Sequence, residues 1–265
     1  MKTLIYDNEC PLCVAYTGAF VKTGLLKKEG RKKFNEVDQQ MLANLDAARM
    51  HNEIPLIEKE TGKVWYGMDA LLEILGSKFP LLKKTGQLKI INWFLKKLYK
   101  LVSYNRKVIV AVPPSGYDCS PHFNIRYRII FLLAGLVLNS CLFTQSVPFF
   151  IHHIFPDAQH LQEVHFLLVT LNIAIAVILG TKKGLEYLGQ VNMLAFISLA
   201  CLIPIVFFQQ LIPGGFAIFF TGLISCFISR EYIRRMKYAN IIGQNNAVVI
   251  LNIITVAAAI MYLIN

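Results

Sequence analysis

The segment Lys2–Cys13 reads KTLIYDNECPLC. Lys2–Tyr6 has the character of a short apolar strand, and Pro11 takes the favoured first position of a helix whose pattern runs to Glu29. Asp7-Asn8-Glu9-Cys10-Pro11-Leu12-Cys13 therefore closes a strand and opens a helix. Two cysteines three apart on a first helical turn can form a disulfide. The unpaired N–H groups and partial positive charge of the helix N-terminus stabilise a thiolate there. Cys10, nearer that end, is the expected nucleophile towards a substrate disulfide. Cys13, one turn in and better buried, is the expected resolving thiol. Paired thiolates also bind zinc, but such a site needs two more ligands. The other His and Cys of the first half are only His51, Cys119 and His122. A C-x-x-C beside a βα unit points to redox chemistry, with a motif retained on a pure binding domain as the alternative.

Outward from the motif, strands and helices alternate. Lys33–Val37 reads as a second strand, and Gln39–Met50 as a helix after Asp38 as N-cap. Ile54–Lys59 and Lys63–Tyr66 read as strands around a Glu60-Thr61-Gly62 turn, and Asp69–Leu75 as a helix ended by Gly76. The order βαβαββα predicts a small α/β domain with a mixed sheet. In Leu88–Tyr104, Ile91, Phe94, Leu95, Leu98 and Leu101–Val102 can share one face while Lys89, Lys96, Lys97 and Lys100 point elsewhere. Such a helix suits an anionic leaflet. It equally suits packing on its own domain with a solvated lysine face, and the two are compatible.

DNECPLC resembles the motif of the DCC family of predicted thiol-disulfide oxidoreductases, named for an aspartate and the two cysteines. Gly62 with the run VWYGMDA at 64–70 is similar to that family's hairpin and helix start. Tyr99 through Asn105-Arg106 is similar to its closing segment. The resemblance covers about residues 1–110 and implies a thioredoxin-like, glutaredoxin-like α/β fold, since only one strand precedes the motif. It implies dithiol–disulfide exchange on protein thiols and disulfides; no cofactor and no metal are expected. In thioredoxin-like folds a cis-proline opens the strand that faces the cysteines. Pro55, after Ile54, is the matching position and would present backbone groups to a substrate chain. Pro11, Leu12, Ile54 and Pro55 are thus the expected substrate-binding residues, beside catalytic Cys10, Cys13 and Asp7. Asp7 is the family's aspartate, either a proton acceptor for Cys13 or a cap for the turn after the strand. Its charge by itself raises a nearby thiol pKa, opposing the helix.

The 265-residue chain is 55% hydrophobic and 16% charged with a net charge of +11, and its mean hydropathy is +0.49. Those averages exclude a disordered, collagenous or ordinary soluble chain. Residues 1–128 hold 21 Lys/Arg against 12 Asp/Glu, and residues 129–265 hold 6 against 4. The expected organisation is a thioredoxin-like domain at 1–112, a linker at 113–127 and an all-α transmembrane bundle at 128–265. Its five spans, about 129–151, 164–180, 191–212, 213–229 and 247–264, contain no Asp, Glu, Lys or Arg. The opening MKTLIYDNEC has no apolar h-region, so no cleavable signal peptide is expected. Arg126 and Arg128, then Lys182-Lys183, then Arg230, Arg234, Arg235 and Lys237 occupy every second connection. By the positive-inside rule this predicts an inner-membrane protein with a cytoplasmic N-terminal domain and Asn265 outside.

The remaining candidates are weaker signals. Cys119, in the Pro-rich junction, is a candidate third thiol in a relay, or a bystander. Cys141, Cys201 and Cys226 fall within spans, as a transmembrane relay of reducing equivalents or as small packing residues. His152, His153, His160 and His165, with Asp157 and Glu163, could gather a metal or be ordinary interfacial residues. Asn139, Asn172, Asn192 and Asn252 are expected to hydrogen-bond between helices. No P-loop, G-x-G-x-x-G, H-E-x-x-H or G-x-S-x-G is present. No nucleic acid is expected, because membrane proximity accounts for the basic charge. The leading expectation is a membrane-anchored, cytoplasm-facing thiol-disulfide oxidoreductase. The alternatives are a non-catalytic accessory or assembly subunit docking to other membrane-complex subunits, and transmembrane transfer of reducing equivalents.

Overall fold

The computed structural model describes residues 1–43, 45–111, 123–155, 160–211 and 213–264. It divides into a unit Met1–Arg128 and a unit Ile129–Asn265.

In the first unit, four strands form one sheet: β1 (Lys2–Tyr6), β2 (Arg31–Lys33), β3 (Pro55–Glu58) and β4 (Val64–Tyr66), in the order β2-β1-β3-β4. β2 runs parallel to β1, with Leu4 opposite Arg31, while β3 and β4 are antiparallel to their neighbours. This is the mixed sheet of a thioredoxin-like domain. Strand alternation sends Leu4 and Tyr6 into a core with Leu26, Leu56, Ala70 and Ile74. Ile5 points the other way, to Val37, Leu45 and Ile57. Both faces of β1 are therefore covered, and each such buried side chain contributes roughly 1.5–3 kcal/mol.

The helices of this unit are α1 (Pro11–Lys22), α2 (Gln39–Ala43), α3 (Ala47–Met50), α4 (Met68–Leu75), α5 (Pro80–Gly86) and α6 (Lys89–Val110). Helix α1 stops at Lys22, short of Glu29, because the amides of Leu25 and Leu26 fold back onto the Phe20 carbonyl and Leu26 drops into the core. The second strand falls at Arg31–Lys33, before the expected Lys33–Val37, because Phe34 turns into a 3-10 turn against the second core. The helix expected over Gln39–Met50 is split. Asp46 caps a fresh start by accepting from the amides of Ala48 at 3.0 Å and Arg49 at 3.2 Å.

Helix α6 extends beyond the expected Tyr104, and it faces its domain with polar side chains. Asn92 and Lys96 meet Asp69, Lys100 meets Glu53, Tyr99 accepts from the Ile54 amide, and Ser103 donates to the Asn52 carbonyl. The expected solvated lysine face is thus partly an ion-paired seam.

Among its described residues, the second unit contains the helices α8 (Leu161–Leu179), α9 (Thr181–Phe207), α10 (Gly214–Tyr238) and α11 (Asn246–Ile264), together with most of α7 (Ile125–His153). All five are long and apolar enough to cross a membrane. Lys182 and Lys183 lie in the first turn of α9, and Arg230, Arg234, Arg235 and Lys237 lie on α10. The basic residues expected in connections are therefore carried on helix ends.

Asparagines join these helices. Asn139 of α7 donates to the Asn192 side chain of α9 at 2.5 Å, at a point where Gly135 leaves room that any Cβ would fill. Asn252 of α11 donates to the hydroxyls of Tyr187 and Tyr232 at 2.8 and 3.0 Å, and Tyr187 in turn donates to Asn172. Arg235 is almost wholly buried, held by Glu231 and Gln190 at 2.8 Å each. These bonds replace water that a hydrocarbon core does not supply.

Candidate active site

β1 delivers the chain to Asp7, whose Oδ1 accepts the Glu9 amide at 2.9 Å and turns the backbone towards α1. Of the two expectations for Asp7, the turn cap is the one visible in the geometry. Cys10 is the N-cap residue of α1, in extended conformation, with Pro11 following at the first helical position. The Cys10 carbonyl accepts the Val14 amide at 2.9 Å. Cys10 is half-buried and Cys13 is buried, both as thiols.

The two sulfurs titrate in opposite directions. A hydrogen bond from the Cys13 thiol holds Cys10 down to about 6. Burial opposes this, while the Cys13 amide and the Arg106 charge assist it and Asp7 opposes it. Cys13 is pushed far up, first because its proton is donated to Cys10 and second by burial, with Arg106 acting against both. One proton is thus shared by the pair and resides on the inner sulfur.

A shell of side chains fixes this arrangement. The buried Thr17 hydroxyl donates to the Cys13 carbonyl at 2.6 Å. Arg31 of β2 donates to the Thr17 oxygen at 2.9 Å and to the Val14 carbonyl at 3.1 Å, with its guanidinium 4.0 Å over the Tyr6 ring. Arg106, from α6, reaches the Cys13 sulfur at 4.0 Å, Asp7 Oδ2 at 3.6 Å and the His51 carbonyl at 3.4 Å. Tyr16 places its hydroxyl 4.0 Å from the same sulfur, and burial drives its pKa upward. Tyr99 is likewise raised by burial, to about 12.

Ile54 and Pro55 line a small cleft together with Tyr6, Asp7, Cys13, Phe34 and Arg106, so the fold brings them to Cys13. The expected cis-proline is corrected: no cis peptide bond occurs among the described residues. The Ile54 amide donates to Tyr99 at 3.0 Å and its carbonyl accepts the Gly67 amide at 2.9 Å. The backbone groups of Ile54 are therefore committed inside the domain, and the strand is anchored without a cis bond. Gly67 makes this possible, with φ of +56° and a Cβ position only 3.0 Å from the Tyr99 ring. Pro11 and Val14 are exposed and Leu12 is half-buried, forming an apolar rim beside Cys10.

Arg106, Tyr16, Thr17 and Arg31 received no role from sequence reasoning. The available signal was the i, i+4, i+7 spacing of Tyr99, Ser103 and Arg106, which puts three polar groups on one face of the helix. Cys119 lies outside the described residues. Cys141, Cys201 and Cys226 sit on three different helices, α7, α9 and α10, with Cys141 and Cys226 exposed on the unit's surface. Among the described residues no three His, Cys, Asp or Glu gather into a metal-binding group. His160 pairs with Glu163 at 3.0 Å, and His165 stacks on Phe143 at 4.2 Å. Asp157 lies outside the described residues.

Residues 4–111 match the family model described as DCC1-like thiol-disulfide oxidoreductase, and five candidate membrane-spanning helices follow. No curated protein and no solved structure matches the chain.

Proposed function

From a DCC1-like thiol-disulfide oxidoreductase domain joined to five candidate spans, we propose a membrane-anchored dithiol–disulfide exchange enzyme that works through Cys10 and Cys13. The observation that carries this reading is the geometry of the pair, with Cys10 as the N-cap of α1, Cys13 buried one turn in and Arg106 4.0 Å from the Cys13 sulfur, an arrangement that lowers the Cys10 pKa and raises that of Cys13. Near neutral pH, Cys10 is then mostly thiolate and at the surface, while Cys13 is protected.

The Cys10 thiolate attacks a protein disulfide. A Cys10–substrate S–S bond forms, the substrate S–S bond breaks, and the leaving thiolate takes a proton from water. Cys10 is now neutral, so the interaction that kept the proton on Cys13 is gone. The Arg106 guanidinium, 4.0 Å from the Cys13 sulfur, then favours loss of that proton to water. The Cys13 thiolate attacks Cys10, expels the second substrate thiolate and leaves a Cys10–Cys13 disulfide. The substrate is reduced by two electrons and the motif is oxidised by two; the reverse sequence oxidises a dithiol. Asp7 holds Arg106 and the turn, which makes it a positioning residue. Pro11, Leu12, Ile54 and Pro55 border the place where the substrate chain lies. The basic residues on alternate connections and helix ends support a cytoplasmic N-terminal domain, with the C-terminus outside.

Cys13→Ala in the full-length chain should trap partner proteins on Cys10 as mixed disulfides released by dithiothreitol. Cys10→Ser/Cys13→Ala is the control. If Cys13→Ala traps nothing beyond that control, even in an oxidising cell, exchange is not the function.

A further inference from the structure

Helix α6 is inverted relative to a helix on a soluble domain. Its polar side, Asn92, Lys96, Tyr99, Ser103 and Arg106, is the side that packs inward. Its apolar side looks out: Ile90 is 83% exposed, Trp93 63% and Phe94 58%. Phe79 and Leu81, at the start of α5, and Leu88, between the two helices, are exposed as well, Leu81 at 73%. So large a set of bare apolar side chains marks an interaction surface.

Three further observations choose the occupant. No Asp or Glu occurs from residue 74 to residue 117; Lys83, Lys96, Lys100 and Arg106 in that stretch pair with carboxylates of the domain, while Lys84, Lys89 and Lys97 lie exposed among the apolar residues. Lys97 lies 5.8 Å over the Trp93 ring on the exposed side, and Lys84 and Lys89 adjoin the apolar residues in sequence. Aromatic and aliphatic groups edged by lysines complement an anionic headgroup layer over hydrocarbon, with the lysine stems reaching outward to phosphate. Finally, the first residues of α7 belong to this same unit. Asn105 donates to the Tyr127 carbonyl at 3.2 Å, and Tyr104 stacks on Tyr127 at 4.9 Å. The start of the first candidate span is therefore packed on α6.

We propose that the outer face of α5 and α6 seats on the surface of an anionic lipid bilayer, with Ile90, Trp93 and Phe94 below the headgroups. The redox pair stays open in this arrangement, because Cys13 meets the opposite face of α6 through Arg106. The inference is independent of the exchange reaction.

The test uses the full chain in nanodiscs of phosphatidylcholine with phosphatidylglycerol. The chain has two tryptophans, so the difference between the unaltered chain and Trp93→Phe isolates Trp93, whose exposed position makes the change harmless to folding. Lipids brominated near the headgroup should remove roughly half of the Trp93 emission, and lipids brominated deep in the chain less. Aqueous acrylamide should have little effect. Ile90→Glu/Phe94→Glu, at two exposed positions, should abolish the lipid quenching and leave the rate of Cys10 alkylation unchanged. Strong acrylamide quenching without lipid quenching means that the face is in water and overturns the proposal. Protection from both quenchers means that protein covers the face, a second copy or another subunit, and also overturns it. Equal lipid quenching in phosphatidylcholine alone overturns its anionic part.

Discussion

At the scale of single residues, the proposed chemistry rests on one shared proton and one arginine. Cys10, held at about 6 chiefly by the hydrogen bond from Cys13, should be alkylated at a rate that plateaus above pH 7. The rate should fall about tenfold per unit below pH 6 as the thiolate protonates. Arg106→Met removes the cation near both sulfurs and leaves the Asp7 charge uncompensated, so the midpoint of that profile should move up. Arg106→Lys should restore much of it. The same Met variant should lengthen the life of the mixed disulfide, because Cys13 then loses its proton less readily. An unchanged alkylation profile in Arg106→Met would remove Arg106 from the mechanism. The C-x-x-C and its place between a strand end and a helix N-terminus are legible in the sequence, because these are local features. Arg106 is not, because its place 93 positions from Cys13 depends on how α6 docks.

At the scale of elements, local signals failed wherever a side chain was taken up by a contact distant in sequence. Helix α1 ends early because Leu26 is drawn into the core, and the second strand shortens because Phe34 is drawn into the other. The β4–α4 connection depends on Gly67, which needs a positive φ and room for the Tyr99 ring together. Gly67→Ala should therefore cost about 1–3 kcal/mol, read as a lower midpoint of thermal unfolding for the N-terminal unit. In the second unit, Asn139→Ala breaks the bond to Asn192 between α7 and α9. Its effect should be about 1 kcal/mol, read as weaker resistance of the bundle to denaturing detergent. Gly135→Ala should cost more, because its Cβ would fall on the Asn192 side chain.

At the scale of the whole molecule, a redox domain and a set of apolar helices share one chain. On the proposed topology, a variant whose only cysteine is Cys10 should react with an impermeant maleimide in inverted membrane vesicles and not in intact cells or spheroplasts. Labelling from outside would reverse the topology, and with it the ambient redox poise that decides between reductant and oxidant. Replacing Cys141, Cys201 and Cys226 together should leave mixed-disulfide trapping by Cys13→Ala unaltered, since no described contact joins them to the motif.

The sequence by itself determined the βα placement of the motif, the βαβαββα order and the presence of apolar stretches long enough to span, because each is a short-range periodicity or a composition. It also determined that asparagines within those stretches need partners, since hydrocarbon offers none. Only the tertiary structure decided which partners they take, that Ile54 is anchored by Tyr99 and Gly67 without a cis bond, and that Arg106 stands between Asp7 and Cys13. It alone decided which side of α6 turns inward. A helical wheel gives the two faces, but the polar groups awaiting α6 on the domain, Asp69, Glu53 and the Asn52 carbonyl, are assembled only by the fold.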